Sequence, residues 1–264
     1  MKGQEIVNLV KGTPQVLSMV YTDLAQPGVQ KVGTALGTVL EFSTSLLLPI
    51  KLLNEKFRLN FEKNLNDYKK KIESIPEEEL IEVNPQIGTP IIEKLSYTTN
   101  EEIADLFTNI LAMASSSKNV NLAHPGFVQL IERLSVDEAR IVKHLVGKDF
   151  VPCVTFRAYT KNETGGFIEL LKNATLIQFE VELLFPQNIS TYLDNLVSIG
   201  ILDVNHGLHK MNKKVYEPLL EKYEFERVKT EHVDKGHFKN IECTNGYYQI
   251  TNFGKSFINS CTKK

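Results

Sequence analysis

Apolar residues at Leu53, Phe57, Phe61, Leu65, Tyr68, Ile72 and Ile75 recur in steps of four and three, which predicts one long amphipathic helix between Lys51 and Ile75. Seven Lys or Arg and four acids fill its other positions, so its outer face reads as mixed and solvated rather than as the strictly basic face of a membrane-surface helix. Pro76 and the acids Glu77, Glu78 and Glu79 close it. Upstream, the stretch bounded by Val32 and Ile50 is largely apolar, with Glu41 its only charge. It predicts a second helix, buried in the protein, because Glu41, several Ser and Thr, and Pro49 dilute it below the composition of a membrane span. Gly33 and Gly37, one helical turn apart, are the candidate helix-crossing contact, since residues without side chains let two backbones approach closely.

Start signals place further helices downstream. Thr89 before Pro90 opens one, and Thr99-x-x-Glu102 reads as a capping box ahead of Ile103, Leu106, Phe107, Ile110 and Leu111. The polar run Ser115-Ser116-Ser117-Lys118-Asn119 reads as a linker, which sets the expected domains at 1–118 and 119–264. Beyond it, His124-Pro125 starts a short helix and Ser135-x-x-Glu138 forms a second capping box. Residues from Val151 to Tyr159 are β-prone, whereas those from Phe167 to Phe185 fit helix or strand equally well.

In the last eighty residues, Ile189, Tyr192, Leu193, Leu196 and Val197 make a helical stripe that ends at Gly200 and passes into Ile201-Leu202. Asn245-Gly246 between two β-prone runs signals a two-residue type I′ hairpin, the candidate wing turn, and a helix from Phe253 to Cys261 follows. The expected fold is mainly α with a small β component (α+β): an N-terminal helical domain, then a winged-helix-like domain.

Composition changes this picture little. The chain is 42% hydrophobic and 23% charged, as an ordinary soluble globular protein is, and its net charge of −2 gives no global attraction for a polyanion. Cys153, Cys243 and Cys261 are too few and too scattered for a disulfide framework, which suits a reducing compartment, and the N-terminus lacks a signal-peptide pattern. A cytoplasmic location is the expectation, with peripheral membrane association through the Val32 to Ile50 stretch as an alternative.

Several of these segments resemble the abortive-infection alpha (Abi-alpha) family of bacterial phage-defence proteins. Pro27 and the Gly33 to Leu53 segment resemble its opening. The run Tyr97 to Met113, His124-Pro-Gly-Phe127 and Leu134-Ser-Val-Asp-Glu-Ala-Arg140 are similar to its central block, and Ile250-Thr-Asn-Phe-Gly-Lys-Ser-Phe257 with Cys261 to its finish. The resemblance implies a role in defence against phage. It brings no catalytic residue, cofactor or substrate.

The residues themselves offer little chemistry. His206-x-x-His209, with His232 and His237, has no accompanying Cys-x-x-Cys pair, and solvated loop histidines account for it, so no metal is expected. His124, before a proline, reads as a helix cap. Gly165-Gly166 lies in no phosphate-binding signature, no serine sits in Gly-x-Ser-x-Gly, and the acid pairs fall at helix starts. No cofactor and no enzymatic activity are expected. Two classes of function remain ahead of an enzyme: an interaction or effector protein that binds another protein or itself, and a DNA-binding regulator; a membrane-associated toxic effector is a second alternative. The helix beginning at Ser190, which would read DNA, contains no Lys or Arg and carries Asp194, which disfavours DNA. Lys210, Lys213, Lys214 and Lys239 could still touch phosphates.

Overall fold

The computed structural model describes residues 30–44, 54–161, 165–205 and 208–262. Eleven helices are described, beside short 3-10 turns: α1 (Gln30–Thr44), α2 (Glu55–Glu73), α3 (Pro85–Leu95), α4 (Glu101–Ala114), α5 (Gly126–Glu132), α6 (Val136–His144), α7 (Ile177–Glu180), α8 (Ile189–Ser198), α9 (Glu217–Lys222), α10 (Phe225–Asp234) and α11 (Asn252–Thr262). Four strands accompany them: β1 (Phe150–Tyr159), β2 (Phe167–Ala174), β3 (Leu202–Asn205) and β4 (Asn240–Ile250). The chain is thus α+β, mainly helical with one small sheet.

Two compact units divide it, one from residues 1–139 with 256–264 and the other from 140–255, not the expected 1–118 and 119–264. The expected linker lies within the first unit, and its first two residues belong to that unit's core. Ser115 and Ser116 are buried. The Ile81 N–H donates to the Ser115 carbonyl at 2.9 Å, the Ser117 N–H donates to the Glu79 carbonyl at 2.8 Å, and the Tyr68 and Ser115 hydroxyls share a hydrogen bond of 2.6 Å. The backbone groups of the two buried serines are paired within the unit, so this part of the run has no need of solvent.

In the first unit, α2 buries Phe61, Asn64, Tyr68 and Ile72 on the predicted stripe. Asn64 is tolerated there because its amide donates to the Leu95 carbonyl at 2.8 Å and the Thr98 carbonyl at 2.9 Å, groups that the end of α3 leaves without helical partners. Lys71 ties α2 to α4 through Asp105 Oδ1 at 2.6 Å and Thr108 Oγ1 at 2.7 Å. Helix α3 starts earlier than expected. Asn84 caps it by accepting from the Gln86 N–H, Pro85 takes the first turn, and Pro90 sits inside the helix. Helix α4 is capped by Asn100, which accepts from the Ile103 N–H at 3.2 Å, one residue beyond the expected Thr99. Residues 256–262 of α11 close this core: Phe257 meets Phe127 edge-on at 5.4 Å, and Asn109 Nδ2 donates to the Cys261 carbonyl at 2.5 Å.

The capping box at α6 forms as expected. The Ser135 N–H donates to Glu138 Oε2 at 2.6 Å and the Glu138 N–H donates to Ser135 Oγ at 3.3 Å. Ser135→Ala should cost about 1 kcal/mol in a denaturant titration; no loss would mean that the box contributes nothing.

The second unit is built on an antiparallel sheet in the order β2-β1-β4-β3. Its core holds Val154, Phe156, Ala158, Tyr216, Leu219, Phe225 and Ile241. Strand β4 runs unbroken through the expected wing turn: Asn245 pairs with Val154 and Gly246 with Cys153. A type I′ turn needs positive φ at both positions, and neither residue has it. Gly246 serves close approach instead, since a Cβ there would lie 3.1 Å from the Asn205 carbonyl oxygen and 3.2 Å from Cys153 Sγ. Helix α8 ends as predicted, with Gly200 at φ +79°.

Among the described residues, no helix is long and apolar enough to cross a membrane. Of the 32–50 stretch, residues 45–50 lie outside the described set; Val32, Ala35, Leu36 and Val39 are buried.

Candidate functional site

Gly33 and Gly37 are half-buried on α1, and Gly37 is not the point of closest approach. A Cβ added at Gly37 would meet Glu82 Oε1 at 3.5 Å, an ordinary contact. The tight crossing is at Gly88 on α3, where a Cβ would overlap Val39 Cγ2 and lie 3.0 Å from Val39 Cγ1 and Val83 Cγ1. The glycine that lets α1 and α3 meet belongs to the partner helix.

Cys153 and Cys261 are buried, and Cys243 is partly buried. Burial pushes Cys153 up to about 12 and Cys243 up to about 11, from an ordinary 9.0, and holds Cys261 well above its usual value. None has the lowered pKa of a nucleophile. Because folding favours the protonated thiols, their contribution to stability is complete below about pH 9 and is lost as pH rises toward 11 to 12. Two results should follow: slow alkylation of the folded chain at about pH 8, and an unfolding midpoint that falls above about pH 9. Rapid labelling without denaturant would show that the thiols are accessible.

The histidines are dispersed. His124 caps α5 by accepting from the Gly126 N–H at Nδ1, 3.0 Å away. His206 lies outside the described residues. His232 and His237 face each other with Nδ1 atoms 3.4 Å apart, but among the described residues no group of three His, Cys, Asp or Glu gathers to hold a metal. His144 Nε2 lies 2.9 Å from Glu180 Oε2 and 2.7 Å from Lys148 Nζ. One ring nitrogen cannot donate to the first and accept from the second together, so these are alternative bonds.

Two surfaces of the second unit stand out. The first is the exposed face of α8, which carries Ser190, Thr191, Asp194 and Ser198; just before the helix, Leu184 and Phe185 are more than half exposed. Behind them, α7 is anchored by buried Ile177, and Phe179 rests edge-on against Tyr223 at 5.8 Å. The second surface is the connection between β3 and β4. There Leu208 is 60% exposed and Met211 98%, beside the exposed Lys213 and Lys214. The lysines are visible in the sequence; the outward Leu and Met are not, since apolar residues in a loop carry no sign of their burial.

The family model for abortive infection alpha matches residues 59–261. The chain belongs to the abortive-infection alpha family. This Abi-alpha match takes in both candidate surfaces and the whole sheet, and it begins after α1. No curated protein matches the chain. Among solved structures, an uncharacterized protein from the hydrocarbon-degrading marine bacterium Alcanivorax borkumensis SK2 is similar at 16% identity and a TM-score of 0.33, over 56% of this chain and 96% of that one. That likeness is too low to carry an argument about the Abi-alpha chain.

Proposed function

We propose that this Abi-alpha chain is a phage-defence protein that acts by binding another protein rather than by catalysis, using a winged-helix-like second unit. The topology supports the reading. Helix α6, strand β1, helices α7 and α8, and strands β3 and β4 follow one another, and three strands lie in the order β1-β4-β3. A winged helix has this succession, with β2, α9 and α10 as additions here, and the wing becomes the β3–β4 connection rather than Asn245-Gly246.

The observation that carries the choice of partner is the chemistry of α8, the helix such a module turns outward. It has no Lys or Arg, presents Asp194, and follows the exposed Leu184 and Phe185. A duplex asks this helix for cations and base-edge donors. A protein partner asks for apolar area beside hydrogen-bonding groups.

In cells challenged with phage, the chain should lower phage yield, and Phe185→Glu should remove that protection without lowering its abundance. Retained protection would sink the assignment of this surface. The purified chain should bind duplex DNA only weakly and lose it as salt rises; a sequence-specific complex persisting at physiological salt would establish the regulator reading instead.

A further inference from the structure

We propose that residues 208–214, early in the connection between β3 and β4, form a membrane-docking tip, in which Leu208 and Met211 enter the headgroup region of an anionic phospholipid surface and Lys213 and Lys214 contact its phosphates. This goes beyond the protein-binding role of α8 and does not depend on it.

The tip is built rather than loose. The Lys210 ammonium lies over the Tyr247 ring, 3.8 Å from its centroid, and 4.5 Å from that of Phe150, and it donates to Gln249 Oε1 at 3.2 Å. The Lys210 backbone N–H donates to the Tyr216 hydroxyl at 3.0 Å, and Tyr216 is buried in the core. Asn212 accepts from the Lys214 N–H at 3.2 Å and so starts the 3-10 turn that carries the two lysines. Met211 is therefore flanked on both sides by held residues, Lys210 before it and the turn begun by Asn212 after it. What they hold into solvent is Met211, almost fully exposed, and Leu208, three residues earlier, is exposed as well.

An apolar side chain fixed in that position gains nothing from water and nothing from phosphate. In the interfacial region of a bilayer it gains both the burial of its carbon and sulfur and the attraction of the lysines beside it. The charge supports the same partner. Between Asp203 and Glu217 the sequence has three lysines and no carboxylate. Among the described residues neither Lys213 nor Lys214 forms an ion pair, whereas Lys210, close enough to Asp149 to stabilise its charge, is the anchor. Nucleic acid would use the lysines alone and leave Leu208 and Met211 without a role, except as a wedge between bases.

The test is sedimentation of the full chain with vesicles of phosphatidylcholine alone and of equal parts phosphatidylcholine and phosphatidylglycerol. Binding is expected only to the second and should weaken with salt. Lys213→Gln and Lys214→Gln should each reduce it about fivefold, and Met211→Ser about tenfold. Lys172→Gln, on the exposed part of β2, should leave it unchanged, and unaltered thermal midpoints would show that every variant is folded. Equal binding to both vesicles, or tip variants that bind like the parent, would overturn the proposal. So would duplex DNA that displaces the chain from vesicles and loses its own binding with Met211→Ser, because the tip would then be a nucleic-acid wedge.

Discussion

Replacing Gly254 with alanine is expected to destabilise the second unit by about 3 kcal/mol or more, near the upper end of single-residue effects. A Cβ at this position would overlap the carbonyl oxygen of Ile201 and lie 2.9 Å from its carbon and 3.0 Å from its Cα. These are backbone atoms, and no rotamer can clear them. They are also fixed: the Thr251 N–H donates to the same Ile201 carbonyl at 3.1 Å, the Thr251 hydroxyl donates to the Gly200 carbonyl at 2.6 Å, and the Gly254 N–H donates back to Thr251 Oγ1 at 2.8 Å. Helix α11 thus begins pressed against the turn that ends α8. Alanine's better helix propensity, worth about 1 kcal/mol, is too small to offset the overlap. A urea titration in which the midpoint shifts by less than a third of the expected amount would show that the helix can slide away.

Gly88→Ala is expected to cost the first unit about 1 to 3 kcal/mol, through the overlap with Val39. Valine is β-branched and stiff, so its methyls cannot swing aside freely. Combining Gly88→Ala with Val39→Ala removes the obstructing atoms, and the pair should cost at least about 1 kcal/mol less than the sum of the two single changes. Simple additivity would disprove the contact. Gly37→Ala provides the contrast, because an ordinary contact leaves the propensity gain intact and the outcome should lie between neutral and about 1 kcal/mol stabilising.

What the sequence made legible was whatever is specified locally. The α2 stripe, the Ser135 and Glu138 capping box, the strand at 150–159 and the succession of α8, Gly200 and β3 each depend on residues within a turn or two of one another. The misreadings share a different cause. Asn245-Gly246 has the local chemistry of a turn, but full pairing with β1 on one side and with β3 along its last residues outweighs that preference. The serines at 115–117 look like a linker because the residues that satisfy them, Tyr68, Glu79 and Ile81, are far away in sequence. Strand β2 resisted assignment because most of its side chains are exposed, which erases the alternation that marks a half-buried strand. The glycines that matter most, Gly88 and Gly254, carry no local mark at all. Of the candidate surfaces, the missing cations of α8 and the lysines near 210–214 were readable, whereas the outward setting of Met211 depends on Tyr216, Phe150 and Tyr247 holding its neighbour Lys210.

The return of residues 256–264 to the first unit has a consequence for the order of synthesis. A chain leaving the ribosome exposes residues 140–255 in full before it exposes Phe257, Ser260 and Cys261. The unit that starts first therefore cannot complete its core until the inserted unit has been made, because Phe127, Asn109 and the Leu122 carbonyl wait for those late partners. The usual vectorial order, in which N-terminal domains finish first, is inverted. A nascent or prematurely terminated chain would carry a finished second unit on an unfinished helical one, with its apolar seat for α11 open to chaperones and proteases.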